Sequence, residues 1–121
     1  MKYMLLIYHN EKHWNELGES ERQQMYGEYR KLREELQSRG QFLNGSQLQS
    51  VTTASSIRVR NGKELVTDGP FAETHEQLGG YFLIEAKNVE DAIAIAKRIP
   101  SARMGAIEVR PLVETQAEAT A

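Results

Sequence analysis

Lys2-Tyr3-Met4-Leu5-Leu6-Ile7-Tyr8 is one lysine followed by an unbroken apolar run, closed by His9-Asn10. Its length and its Tyr, Leu and Ile content predict a buried central strand. A second such run, Gly79 to Ala86, carries Tyr81, Phe82, Leu83 and Ile84 and predicts a second buried strand. Between them Met25, Tyr29, Leu32 and Leu36 recur at helical spacing and predict one helix. Ser20-Glu21-Arg22-Gln23 reads as its capping box, and Gly40 as its left-handed stop. Arg22, Arg30, Arg33, Glu21 and Glu34 fall on its outer face. Gly27 lies inside the helix, where close packing against a neighbour is the expected reason for it. Glu11 to Glu19 reads as a polar connection.

Gln41 to Leu48 is expected to be a strand bent at Asn44-Gly45. Ser56–Arg60 and Glu64–Thr67 flank Asn61-Gly62, the strongest short hairpin signal, and predict a peripheral hairpin. Asn88 caps a second helix whose inner face reads Val89, Ala92, Ile93, Ala96 and Ile99, ended by Pro100. Ala106 to Leu112 is the last strand. Without the hairpin the order is βαββαβ, the ferredoxin-like plan of an α+β fold. Residues 1–113 are expected to form one domain and 114–121 a frayed tail. Two helices on one face of such a sheet leave the other face to be covered, which predicts a homodimer.

The 121 residues contain no Cys, which excludes disulfides, thiolate nucleophiles and cysteine metal sites. A net charge of -2 with no basic stripe argues against nucleic acid. No apolar stretch reaches the roughly 18 residues of a membrane span, and no secretory leader is legible, so a cytoplasmic location is expected. No phosphate-cradling loop opens a helix, and His9-Asn10-Glu11-Lys12-His13 lacks zincin spacing. Neither a metal nor a cofactor is expected.

Acid–base chemistry has a short inventory: two Asp (Asp68, Asp91) and three His (His9, His13, His75). Asp91 is accounted for by its place in a helix first turn. Asp68 opens a loop that also holds Gly69, Pro70, Phe71, Glu73 and His75 and ends at Gly79-Gly80. These glycines allow a close backbone approach to a ligand or another chain. A carboxylate beside an imidazole raises its basicity and fixes its tautomer. Asp68 with His9 is the preferred pair and Asp68 with His75 the second; the competing reading is that each imidazole is simply solvated and Asp68 only closes its own turn. Tyr8, Tyr26, Tyr29, Phe71 and Tyr81 are candidates to line one pocket, and Arg103 to bind a carboxylate.

Residues 1–8, the block Val66-Thr67-Asp68-Gly69-Pro70-Phe71-Ala72-Glu73-Thr74 with Glu76-Gln77-Leu78-Gly79-Gly80-Tyr81, and Glu108-Val109-Arg110-Pro111-Leu112 together resemble the DGPF group of YCII-related proteins. The resemblance implies a dimeric α+β-barrel on the ferredoxin-like plan. It also implies two functional directions. Some relatives look like small lyases or dehydrochlorinases with a His–Asp pair. Others look like accessory proteins of extracytoplasmic-function sigma factors. The enzyme-like relatives have their His near the start of the first helix, where this chain has Tyr26 and Tyr29. The expected function is therefore a cofactor-free binder or lyase- or isomerase-like enzyme using Asp68 with a His. The rival is a non-enzymatic partner of a regulator.

Overall fold

The computed structural model describes residues 1–114. The expected tail lies outside the described residues except for Glu114. Six strands and three helices follow in the order β1 (Lys2–His9), α1 (Glu11–Glu16), α2 (Glu19–Ser38), β2 (Phe42–Gln47), β3 (Ser55–Arg60), β4 (Lys63–Asp68), β5 (Gln77–Glu85), α3 (Val89–Ala96) and β6 (Ala106–Pro111). A 3-10 turn, Pro100–Arg103, follows α3. The main sheet has the order β2-β5-β1-β6, and every neighbouring pair is antiparallel. This is the α+β ferredoxin-like arrangement, with β3 and β4 inserted as a separate two-stranded sheet.

Alternation along β1 divides the sheet into two faces. Tyr3, Leu5 and Ile7 are buried and meet Phe82 and Ile84 of β5, Leu32 and Leu36 of α2, and Ala92, Ile95 and Ala96 of α3. Leu36 and Ile84 are completely excluded from solvent, so truncating Leu36 to Ala would cost about 2–5 kcal/mol. Met4, Leu6 and Tyr8 point to the opposite face, where Leu6 pairs with Tyr81 and Met4 with Leu83; all five are half-buried.

The local signals largely do what their chemistry requires. Gly40 takes φ +69 while its amide reaches the Gln37 carbonyl and the Gln41 amide reaches that of Leu36, closing α2. Asn61 and Gly62 both have positive φ, so the hairpin turn is of the type that matches strand twist. The register slips between Phe42 and Asn44, the expected bend in β2. Asn88 accepts from the Asp91 amide at 2.9 Å, and Asp91 accepts from the Lys87 amide at 3.2 Å.

Four expectations are corrected. Glu11–Glu16 is a helix rather than a connection, because the Asn10 side chain accepts from the amides of Lys12 and His13. The start of α2 is Gly18, without a side-chain cap, and Ser20 lies inside the helix. Glu19 and Glu21 supply negative charge to that first turn instead. Gly27 faces open space, with no atom within 4 Å of a built Cβ, so packing does not require it. The inner face of α3 is Ala92, Ile95 and Ala96, continued by Ile99, while Val89 and Ile93 are exposed.

Candidate functional site

A cleft of about 140 Å³ opens between the end of β1 and the middle of α2. Ile7 and His9 come from β1, Trp14 from α1, and Tyr26, Tyr29 and Arg33 from one face of α2. These α2 positions follow helical spacing, so a single stripe builds one wall. Phe82 and Ser101 close the inner end. The floor is backbone: Gly45 of β2 and Gly79 and Gly80 of β5.

Glycine is needed on that floor for space. A Cβ at Gly79 would fall on the His9 ring, 2.8 Å from Nδ1. At Gly80 it would lie 2.8 Å from the Ser46 carbonyl oxygen, and at Gly45 2.8 Å from that of Tyr81. Real Cβ atoms do not approach so closely, so the sequence signal Gly79-Gly80 marks where the His9 ring and strand β2 come down on β5.

α1 holds the aromatic side in place. The Trp14 amide donates to the Asn10 carbonyl at 3.1 Å, which sets the indole one turn beyond β1. Its ring centroid lies 5.9 Å from that of His9 and 5.6 Å from that of Tyr26, edge-on to the latter. The Glu11 carboxylate accepts from the Val51 amide at 2.8 Å and the Ser50 hydroxyl at 3.2 Å. The Glu11 amide donates to the Gln77 side chain at 2.9 Å, whose own NH2 donates to the Thr74 carbonyl at 2.6 Å. These bonds tie α1 to the chain on both sides of the hairpin.

His9 is half-buried. Burial pushes its imidazole below the ordinary 6.5, against the opposing pull of Glu11 and Glu76. The ring is thus held neutral near pH 7, free to accept a proton. Deeper in, the Tyr29 hydroxyl and Ser101 Oγ share a hydrogen bond of 2.6 Å. Ser101 is itself buried, and burial raises the Tyr29 phenol above its ordinary value. Tyr29 also packs edge-on against Phe82 at 6.0 Å. The cleft thus combines a neutral base, a hydroxyl pair and an apolar aromatic wall.

Of the residues singled out from sequence, His9, Tyr26 and Tyr29 meet in the cleft. The other members do not join them. Asp68 ends β4 on the hairpin, opposite Ser55, and is exposed. Its carboxylate takes no hydrogen bond among the described residues; the turn is closed by the Gly69 amide on the Ala54 carbonyl at 2.7 Å and by Ser56 Oγ on the Gly69 carbonyl. The expected Asp68–His9 pair is therefore not formed within the chain. The carboxylates that act on His9 are Glu11 and Glu76. His75, Pro70 and Glu73 are exposed on the loop, and Gly69 adopts φ +103. Phe71 is 73% exposed and lies under the Arg58 guanidinium at 4.6 Å, far from a pocket wall in its role. Tyr8 and Tyr81 belong to the opposite face of the sheet. Arg103 pairs with Glu28 at 2.6 Å on the outside of α2.

Sequence reasoning missed Trp14, Arg33, Gly45 and Ser101. The spacing of Arg33 from Tyr26 and Tyr29 was a signal for it, since seven residues return to the same helical stripe. Among the described residues no helix is long and apolar enough to cross a membrane.

The chain matches the model of the YCII-related domain over residues 1–116. It is also 31% identical over 114 residues to an uncharacterized protein of Rhizobium meliloti (strain 1021), covering 93% of this chain and 92% of that one. With the ferredoxin-like sheet order, a family match over nearly the whole length and a full-length relative in agreement, the chain belongs to the YCII-related family.

Proposed function

We propose that the His9 cleft is a small-molecule site for cofactor-free acid–base chemistry of the lyase or isomerase kind. The observation that carries this reading is the half-buried imidazole, held neutral on the wall of an aromatic cleft. A planar, weakly acidic substrate would stack against Trp14 and Tyr26. His9 would take a proton from it and become imidazolium, eased by the nearby Glu11 and Glu76 carboxylates. The negative charge left on substrate oxygen would accept a hydrogen bond from the Tyr29–Ser101 hydroxyl pair. Return of the proton to another atom completes an isomerisation; loss of a leaving group completes an elimination.

An amide-resolved NMR screen of planar phenols and enolisable ketones tests this. The expected hits shift the Trp14 indole and the amides of His9, Gly79 and Gly80, and lose affinity in Trp14→Ala. Hits that shift only the residues 69–76 loop would contradict it.

A second reading concerns association. The hairpin carries Ile57, Val59 and Val66 on one face, each more than half exposed, and the open sheet face holds Met4, Leu6 and Leu83 half-buried. Both favour a homodimer of the DGPF-group kind. Light scattering should then give twice the 13.8 kDa of the chain; a monomer mass would overturn it. A regulator such as an extracytoplasmic-function sigma factor would compete for the same apolar surface.

A further inference from the structure

We propose that Arg33 makes the cleft selective for a small planar organic acid, whose carboxylate lies on the Arg33 guanidinium while its ring lies against Trp14 and Tyr26. This assignment rests on the small-molecule reading of the cleft.

None of the residues lining the cleft is Asp or Glu. Its one full charge comes from Arg33, because burial favours the neutral form of His9. An anion entering there meets no repelling carboxylate on the walls.

Arg39 and Arg98 both pair with Glu35, and Arg103 pairs with Glu28. The positions three and four residues from Arg33 on α2 are Tyr29, Arg30, Leu36 and Gln37, none of them acidic. Among the described residues Arg33 has neither an ion pair nor a hydrogen bond. Arg30 is one turn away and carries the same charge, yet it does not reach the cleft.

Geometry completes the case. A guanidinium offers a planar fork that matches a carboxylate in two parallel hydrogen bonds. Trp14 and Tyr26, packed edge-on to each other, bring aromatic surface to the same cleft. Gly45, Gly79 and Gly80 line the same cleft. Together these suit an aromatic body with an acidic end.

Benzoate and its neutral counterpart benzamide are suitable probes, titrated at millimolar concentration into the full chain and followed by NMR. Benzoate should shift the Trp14 indole and the Gly79 and Gly80 amides. Arg33→Gln should weaken it by about tenfold, Arg33→Lys by less, and Arg30→Gln, with the same loss of net charge, hardly at all. Benzamide should respond to none of these changes. Equal binding of both probes in the cleft, untouched by Arg33→Gln, would overturn the carboxylate assignment and leave the small-molecule reading standing. Equal losses in Arg33→Gln and Arg30→Gln would reduce the effect to general charge and overturn it too. If neither probe shifts a cleft amide, the small-molecule reading fails and this proposal with it.

Discussion

His9 and His75 each stand close to a Glu in the sequence, Glu11 and Glu76, and each has a glycine-marked stretch beside it, Gly79-Gly80 in space for the first and Gly69 in the loop for the second. At the end of β1 the His9 ring rests on Gly79, is flanked by Trp14 and has lost part of its water. In the loop after β4, His75 and Asp68 are exposed and the loop closes through its own backbone. The difference lies in the scaffold beneath. β1 is one of the two inner strands of a four-stranded sheet with helices packed on it, whereas Asp68 ends a two-stranded hairpin. A hairpin with both faces wet cannot exclude water from a carboxylate. The residue types were equally promising in both regions; desolvation separates them.

The two glycines offer the sharpest contrast. Gly79→Ala should cost about 1–3 kcal/mol, because the new methyl collides with the His9 ring. If the ring moves aside to relieve the collision, His9 loses its burial and its titration rises. Gly69→Ala should cost a similar amount, about 1–3 kcal/mol, through strain at φ +103, and should leave His9 unchanged. Urea unfolding with imidazole NMR on both variants checks the pair. Identical effects on His9 would erase the distinction between the regions.

Tyr29→Phe removes one half of a buried hydroxyl pair and leaves Ser101 without a partner. The expected loss is about 1–2 kcal/mol, measured by urea unfolding. Gly27→Ala, on the same helix, should act in the opposite sense and stabilise by up to about 1 kcal/mol, since its Cβ meets nothing within 4 Å. Asp68→Ala should change stability by less than about 0.5 kcal/mol, as exposed positions without partners do, and should leave benzoate binding intact. A large loss of cleft binding in Asp68→Ala would shift the centre of the account back to the loop.

Much of the fold was legible because its signals are local. The apolar runs of β1 and β5, the Met25–Leu36 stripe and the Asn61-Gly62 turn each need only their own neighbours to act. α1 was not legible: six residues with one aromatic show no period, and a single Asn10 cap decides the matter. The site was legible only in part, since its walls converge from β1, α1, α2, β2, β5 and the turn after α3. Arg33 reads as an outer-face charge by residue type; its seven-residue spacing from Tyr26 puts it on the cleft stripe, and the path of α1 makes that stripe a rim. Asp68 drew attention by rarity, which says nothing about burial.

Burial in this cleft, and not pairing with Asp68, sets the state of His9. The unfolded chain takes up a proton on this imidazole near 6.5 and the folded chain only at lower pH. Stability from neutral His9 is thus fully present above 6.5 and is lost as pH falls through that value toward the folded-state midpoint. The direct measurement is an NMR titration of the His9 imidazole in the full chain, repeated in Trp14→Ala and Asp68→Ala. The predicted result is a midpoint below 6.5 that rises in Trp14→Ala and does not move in Asp68→Ala. A midpoint at or above 6.5, or one that falls when Asp68 is removed, would contradict the account.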